Sequence, residues 1–253
     1  DSERSKEGTG KVLALINPWP GRAPWMPIAI AEAKLRAGET ESTLQDKINY
    51  HVEINDGLKS LNGNSNAWCA AFVNWCLSQA KYPIDNIGFP NHKAAKARAH
   101  SFYEVDGPKE KSEKTARMIR NPLFVELDKP IYGAIAMVTS KSDHGHHVGF
   151  VYAKNGSNGL ILLGGNQDQQ INFSYFNIAP VAARTTKNKD GKKVVHKGDP
   201  NHLKYFVPIA YYEQAKKDIS DPGLEEMKAV EINKRMGIDA GKSNANKETP
   251  TLT

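Results

Sequence analysis

The segment Ala67-Trp-Cys-Ala-Ala-Phe-Val-Asn-Trp-Cys-Leu77 constrains this chain more than any other. It contains no Gly, no Pro and no formal charge, and it follows a turn-forming stretch, Asn62-Gly-Asn-Ser-Asn66. Ala, Leu and aromatic residues at this density predict a helix starting near Cys69. A helix apolar on all sides is stable only when buried. The rest of the chain must therefore supply a cover for it, and the fold has to be built around this element.

The remaining pattern supplies that cover. Ile28 to Ala37 has helical composition and stops at Gly38, with Trp25 and Met26 placed to pack on the core; residues 43–60 and 93–103 also read as helical. The charged stretch 106–120 reads as a solvated loop. Strands are predicted over Tyr132–Val138, His147–Ala153, Leu160–Leu163, Ile171–Phe176 and Lys204–Tyr212, most of them separated by turn residues. Helices come first and an antiparallel strand set follows, which is an α+β order rather than alternating βαβ. We divide the chain into an N-terminal extension (1–23), a core domain (24–212) with a basic insertion at 185–204, and a C-terminal tail (213–253), helical over 214–236 and disordered from Gly237.

The net charge is +6, which suits an anionic surface such as nucleic acid, membrane or cell wall. No zinc-finger pattern, RNP-like aromatic motif or P-loop accompanies the charge, so nucleic acid is not an expected partner. No apolar run is long enough to span a membrane. Asp1 to Gly8 is polar and does not read as a signal peptide. The two cysteines, Cys69 and Cys76, would stand about 10.5 Å apart along one helix. A disulfide needs Cα atoms within about 7 Å, so both thiols should be free of each other.

Of the two, Cys69 has a reactive setting. It opens a helix after a polar loop, where free N–H groups and the positive end of the helix dipole favour a thiolate. Cys76 lies two turns deeper among Val73, Trp75 and Leu77 and reads as core. A base is available in His144-Gly-His-His-Val-Gly-Phe-Val151. His147 directly precedes the apolar strand, and His146 would point to the opposite face. A metal site would need ligand spacing of the HExxH or CxxC kind, which is missing, so no metal or other cofactor is expected. After the next strand, Leu162-Leu-Gly-Gly-Asn-Gln-Asp168 brings Asn166 and Gln167 towards the histidine, and Asn166 is the expected orienting residue.

Taken together, Trp68-Cys-Ala-Ala-Phe-Val-Asn-Trp-Cys76, Gly145-His-His-Val-Gly-Phe-Val151 and Leu163-Gly-Gly-Asn-Gln167 resemble the NlpC/P60–CHAP superfamily over about residues 24–176. The resemblance implies a papain-like fold, in which the cysteine helix packs on an antiparallel sheet carrying the base. It implies a cysteine hydrolase that cleaves an amide bond of peptidoglycan, as a muramoyl-alanine amidase or a stem-peptide endopeptidase. Cys69, His147 and Asn166 would form the triad, with Asn66, Trp68 and Gln167 as oxyanion or substrate contacts. It further implies action in the bacterial periplasm or cell wall, as a phage lysin or an injected antibacterial toxin countered by an immunity protein. Two departures stand out. Gly133-Ala134 replaces the family's Gly-Asp, and the doubled His146-His147 leaves the base open by one residue. A protein-directed cysteine peptidase or acyltransferase, or a non-catalytic binding module, are the alternatives.

Overall fold

The computed structural model describes residues 17–61, 67–109, 112–139 and 146–240. The helices are α1 (Met26–Leu35), α2 (Glu41–Leu44), α3 (Tyr50–Glu53), α4 (Cys69–Gln79), α5 (His92–Ala95), α6 (Tyr212–Asp218) and α7 (Ala229–Met236). The strands are β1 (Glu104–Asp106), β2 (Met118–Arg120), β3 (Phe124–Leu127), β4 (Ile135–Thr139), β5 (His146–Lys154), β6 (Gly159–Gln167), β7 (Gln170–Asn177), β8 (Arg184–Lys187), β9 (Lys193–His196) and β10 (Leu203–Pro208). The chain is α+β: an antiparallel six-stranded sheet in the order β3-β10-β4-β5-β6-β7, two separate hairpins, and helices packed on the sheet.

As its composition requires, α4 is buried along nearly its whole length and lies across β5 and β6. Trp25 pins α1 to this core. Its indole N–H donates to the Gly133 carbonyl at 2.8 Å, its ring stacks on Phe150, and the Tyr82 and Tyr211 rings meet it edge-on. Gly133 is held at φ +81°, and a Cβ there would come within 2.2 Å of the Ala23 Cβ, so this turn admits only glycine.

Several elements depart from the sequence pattern. The stretch read as a solvated loop contributes β2, which pairs with β1, and β3 extends the main sheet beyond β10. The helical region 43–60 resolves into two single turns, α2 and α3, and the region 93–103 into α5 and a 3₁₀ turn over Ala99–Phe102. The basic insertion is a hairpin, β8–β9. The helical region after 212 is broken at Pro222-Gly223, with Gly223 at φ +65°.

The two helices on either side of that break belong to the body rather than to a tail. Ala215, Ala229, Ile232 and Met236 are buried in the core. Asn233 of α7 clamps the sheet edge: its side chain accepts from the Phe173 N–H at 3.0 Å and donates to the Phe173 carbonyl at 2.8 Å. β7 is an edge strand, and its outward backbone groups at this position are satisfied by one amide. The expected tail beyond residue 240 lies outside the described residues, as does most of the N-terminal extension. Asn233→Ala leaves two buried backbone groups unpaired, which costs about 1–3 kcal/mol. We expect a thermal midpoint lower by several degrees, measured by circular dichroism.

Candidate active site

Cys69 is the first residue of α4, with Trp68 as its N-cap. The thiol is almost fully buried beside the His147 imidazole, whose interaction with the sulfur favours the thiolate. Burial alone would push the thiol pKa up. The His147 interaction and charge, with the N–H groups of Val148 and Ala70 on the sulfur, outweigh that effect and hold Cys69 below the ordinary thiol value. Burial would likewise lower the imidazole. Its interactions with Cys69 and Gln167 outweigh burial and raise it above the usual histidine value. The two shifts point the same way, towards a thiolate facing an imidazolium. Cys76 is buried in the core and its pKa is pushed up by desolvation and by the charge of Glu32.

The side chain that bonds His147 is that of Gln167, and Asn166 lies in the adjoining cavity wall. Gln167 Oε1 lies 3.0 Å from His147 Nε2. Continuing the Phe150↔Leu163 pairing of β5 and β6 would set Asn166 opposite His147, which is why the linear pattern favours it. The ladder with β7 instead shifts register between Gly164 and Gln167, and Asn166 takes a left-handed backbone at φ +54°. This bulge advances the chain by one residue and brings Gln167 to the ring.

The Gln167 amide cannot be reversed. Its Nε2 donates to the carbonyls of Asn172 at 2.7 Å and Leu162 at 3.2 Å, and to Asn172 Oδ1 at 3.0 Å. Asn172 Oδ1 also accepts from the Ser174 hydroxyl, and Asn172 Nδ2 donates to the Gln167 carbonyl. Carbonyl oxygens cannot donate, so Oε1 is forced towards the histidine. His147 Nε2 must then carry a proton, which leaves Nδ1 as the nitrogen that exchanges a proton with Cys69.

Two glycines make this approach possible. A Cβ on Gly164 would lie 2.9 Å from Gln167 Oε1, and one on Gly165 would lie 2.6 Å from the Trp68 ring and 2.7 Å from the Phe72 Cβ. Gly165 thus sets how closely α4 approaches β6. Trp68 itself is fully buried, stacks on Tyr50 at 5.7 Å and donates to Glu41 at 3.3 Å, and so packs beneath the start of α4. Tyr50 is fixed in turn by its hydroxyl bond to Glu32 at 2.8 Å. The sequence pattern gave no sign of that support, because Glu32 and Tyr50 sit in separate helical segments.

His146 points away, its ring tilted against that of His100 with 5.0 Å between centres. Asn166 lines a cavity of about 270 Å³ together with His147, Gln167, Asp168, Ser174 and Phe176. Phe176 lies flat on His147, at 5.4 Å between ring centres and 8° between planes. Asn66 lies outside the described residues, as does His144. Among the described residues no group of three His, Cys, Asp or Glu side chains is arranged to hold a metal ion, and no helix is long and apolar enough to cross a membrane. Compared with protein-family models, with characterised proteins and with solved structures, the chain matches none.

Two outcomes follow from this geometry. The lowered thiol should ionise at lower pH than an ordinary thiol, whose pKa is about 8.5. The midpoint of its alkylation by iodoacetamide, followed by peptide mass analysis, should therefore fall below that of an ordinary thiol. In His147→Ala the rate should rise only at higher pH; an unchanged midpoint would contradict the pairing. Gly165→Ala should overpack the α4–β6 contact at a cost of about 1–3 kcal/mol. It should also slow Cys69 alkylation at neutral pH by displacing the start of α4.

Proposed function

We propose that the protein is a papain-like cysteine hydrolase of the NlpC/P60–CHAP kind that cleaves an amide bond of peptidoglycan. The observation that carries the reading is the chain of contacts from Cys69 at the start of α4, through His147, to Gln167. A thiol at a helix start, a base within hydrogen-bond reach and an orienting amide on the base are the parts that nucleophilic acyl transfer needs. The peptidoglycan assignment rests on the resemblance of the three motifs, and the exported or injected setting follows from it.

In the reaction the Cys69 thiolate attacks the amide carbonyl carbon. The Cys69 N–H, at the first position of α4, has no acceptor within the helix and would donate to the oxygen on which negative charge develops. The His147 imidazolium gives its Nδ1 proton to the departing amine, and a thioester to Cys69 remains. Neutral His147 then takes a proton from water, which attacks the thioester and releases the carboxylate product. Gln167 holds the ring in the tautomer and orientation that both steps need. No metal takes part in these steps.

On purified peptidoglycan, Cys69→Ala should abolish release of soluble fragments, while Cys76→Ala retains most activity. His147→Ala should lose several orders of magnitude, and His146→Ala little. Gln167→Ala should fall between them, about 10–100-fold down, and Asn166→Ala should stay near wild type. EDTA should leave the rate unchanged. Equal losses in Gln167→Ala and Asn166→Ala would remove the orienting role given to Gln167. Wild-type turnover by Cys69→Ala would remove the mechanism.

A further inference from the structure

The β8–β9 hairpin stands apart from the sheet and has no role in the chemistry above. Between Val181 and Asp199 it carries six Lys and Arg against two Asp, a net +4 of the protein's +6. The six are Arg184, Lys187, Lys189, Lys192, Lys193 and Lys197, and all are exposed. Elsewhere Arg22, Arg36, Lys47, Lys96, Arg120, Lys204 and Lys216 each have an acidic partner, while others, such as Lys34 and Lys129, form no ion pair among the described residues. Among the described residues none of the hairpin's six forms an ion pair. Lys187 and Lys193 face each other directly across the two strands, an arrangement that destabilises an isolated hairpin.

The hairpin is nevertheless built to hold its shape. Asn188 closes the tip, its side-chain oxygen accepting from the N–H groups of Asp190 and Lys192 and its carbonyl from Gly191. Thr186 and His196 bond across the strands at 2.8 Å. Val181 and Asp199 exchange both backbone bonds at the base. A short two-stranded hairpin is marginal by itself, so this one is supported against its own repulsion by these closures.

Its root lies beside the candidate active site. The chain enters the hairpin just after Phe176, whose ring lies on His147. It leaves just before His202, whose ring bonds the Asn177 carbonyl at 2.9 Å and whose own carbonyl accepts from the Thr139 N–H at 2.7 Å. Thr139 pairs with His146 in the sheet.

We propose that this hairpin is a docking arm for the carboxylate-bearing peptide network of peptidoglycan, holding the protein on its insoluble polymer beside the scissile bond. The proposal rests on the hydrolase reading for the identity of the polymer. Six exposed cations gathered on one hairpin fit a long polyanion. Residues 181–199 contain no Phe, Tyr or Trp, so nucleic-acid bases have nothing to stack on. The exposed apolar side chains of the strands are Val194 and Val195, without the aromatic and leucine face of a membrane-surface segment.

The test compares Cys69→Ala with Cys69→Ala carrying Lys187→Gln, Lys189→Gln, Lys192→Gln and Lys193→Gln, with folding of both checked by thermal melting. Co-sedimentation with purified sacculi at low salt should weaken about tenfold in the substituted protein. The difference should vanish near 1 M NaCl, where charges are screened beyond about 3 Å. Free poly-L-glutamate should release the parent protein from sacculi. With Cys69 intact, the same four substitutions should slow digestion of sacculi and leave cleavage of a small soluble muropeptide unchanged. Equal co-sedimentation of the two proteins would overturn the arm, as would tighter binding of a DNA duplex or of anionic vesicles than of sacculi. If the unsubstituted enzyme cleaves no muropeptide at all, the hydrolase reading fails, while the sedimentation result still decides whether the arm binds this polymer.

Discussion

The site depends on one amide that cannot turn over. Gln167 spends its two donors on backbone carbonyls and Asn172, so its oxygen faces His147 and dictates which ring nitrogen bears the proton. A histidine held only by Cys69 would be free to rotate and to exchange tautomers. With Gln167 in place, the nitrogen facing the thiol is the one able to accept its proton, and the pair is drawn towards the charged form. The polar network behind it, through Asn172 and Ser174, is buried and mutually satisfied, which is the condition for such a network to rigidify rather than weaken a core.

The larger body serves that alignment from two sides. On the helix side, Trp68 and Tyr50 stack beneath the first turn of α4, and Glu32 of α1 anchors Tyr50. On the sheet side, Gly164 and Gly165 remove side chains where β6 meets the Gln167 amide and α4. Phe176 pairs with Leu160 near the start of β6, yet its ring lies on His147 and gives the imidazole an aromatic floor.

Much of this was legible from the residues. The absence of charge from Ala67 to Leu77 called for a buried helix, and the polar loop before it set Cys69 at the helix start apart from Cys76 in the core. Period-two alternation placed His147 and His146 on opposite sides, as observed. What could not be read was a change of phase. The Gly164-Gly165 pair signals a possible bulge, but whether one residue is gained depends on tertiary contact with α4. Asn166 and Gln167 therefore exchanged places. β1, β2 and β3 were hidden because they are short and lie in or beside a charged stretch, where pairing rather than apolar alternation defines them. The packing of α6 and α7 depends on Asn233 meeting an edge strand some 60 residues earlier, a relation with no local signature.

The central claim is covalent: an acyl group passes through Cys69. The direct measurement is intact-protein mass spectrometry after acid quenching of the enzyme with excess soluble muropeptide, followed by peptide mapping. The account predicts a mass increase equal to the acyl half of the cleaved substrate, located on Cys69 and removed by hydroxylamine, with larger accumulation when hydrolysis of the thioester is slowed. Turnover of the muropeptide with no adduct on Cys69, or with an adduct on another residue, would contradict it.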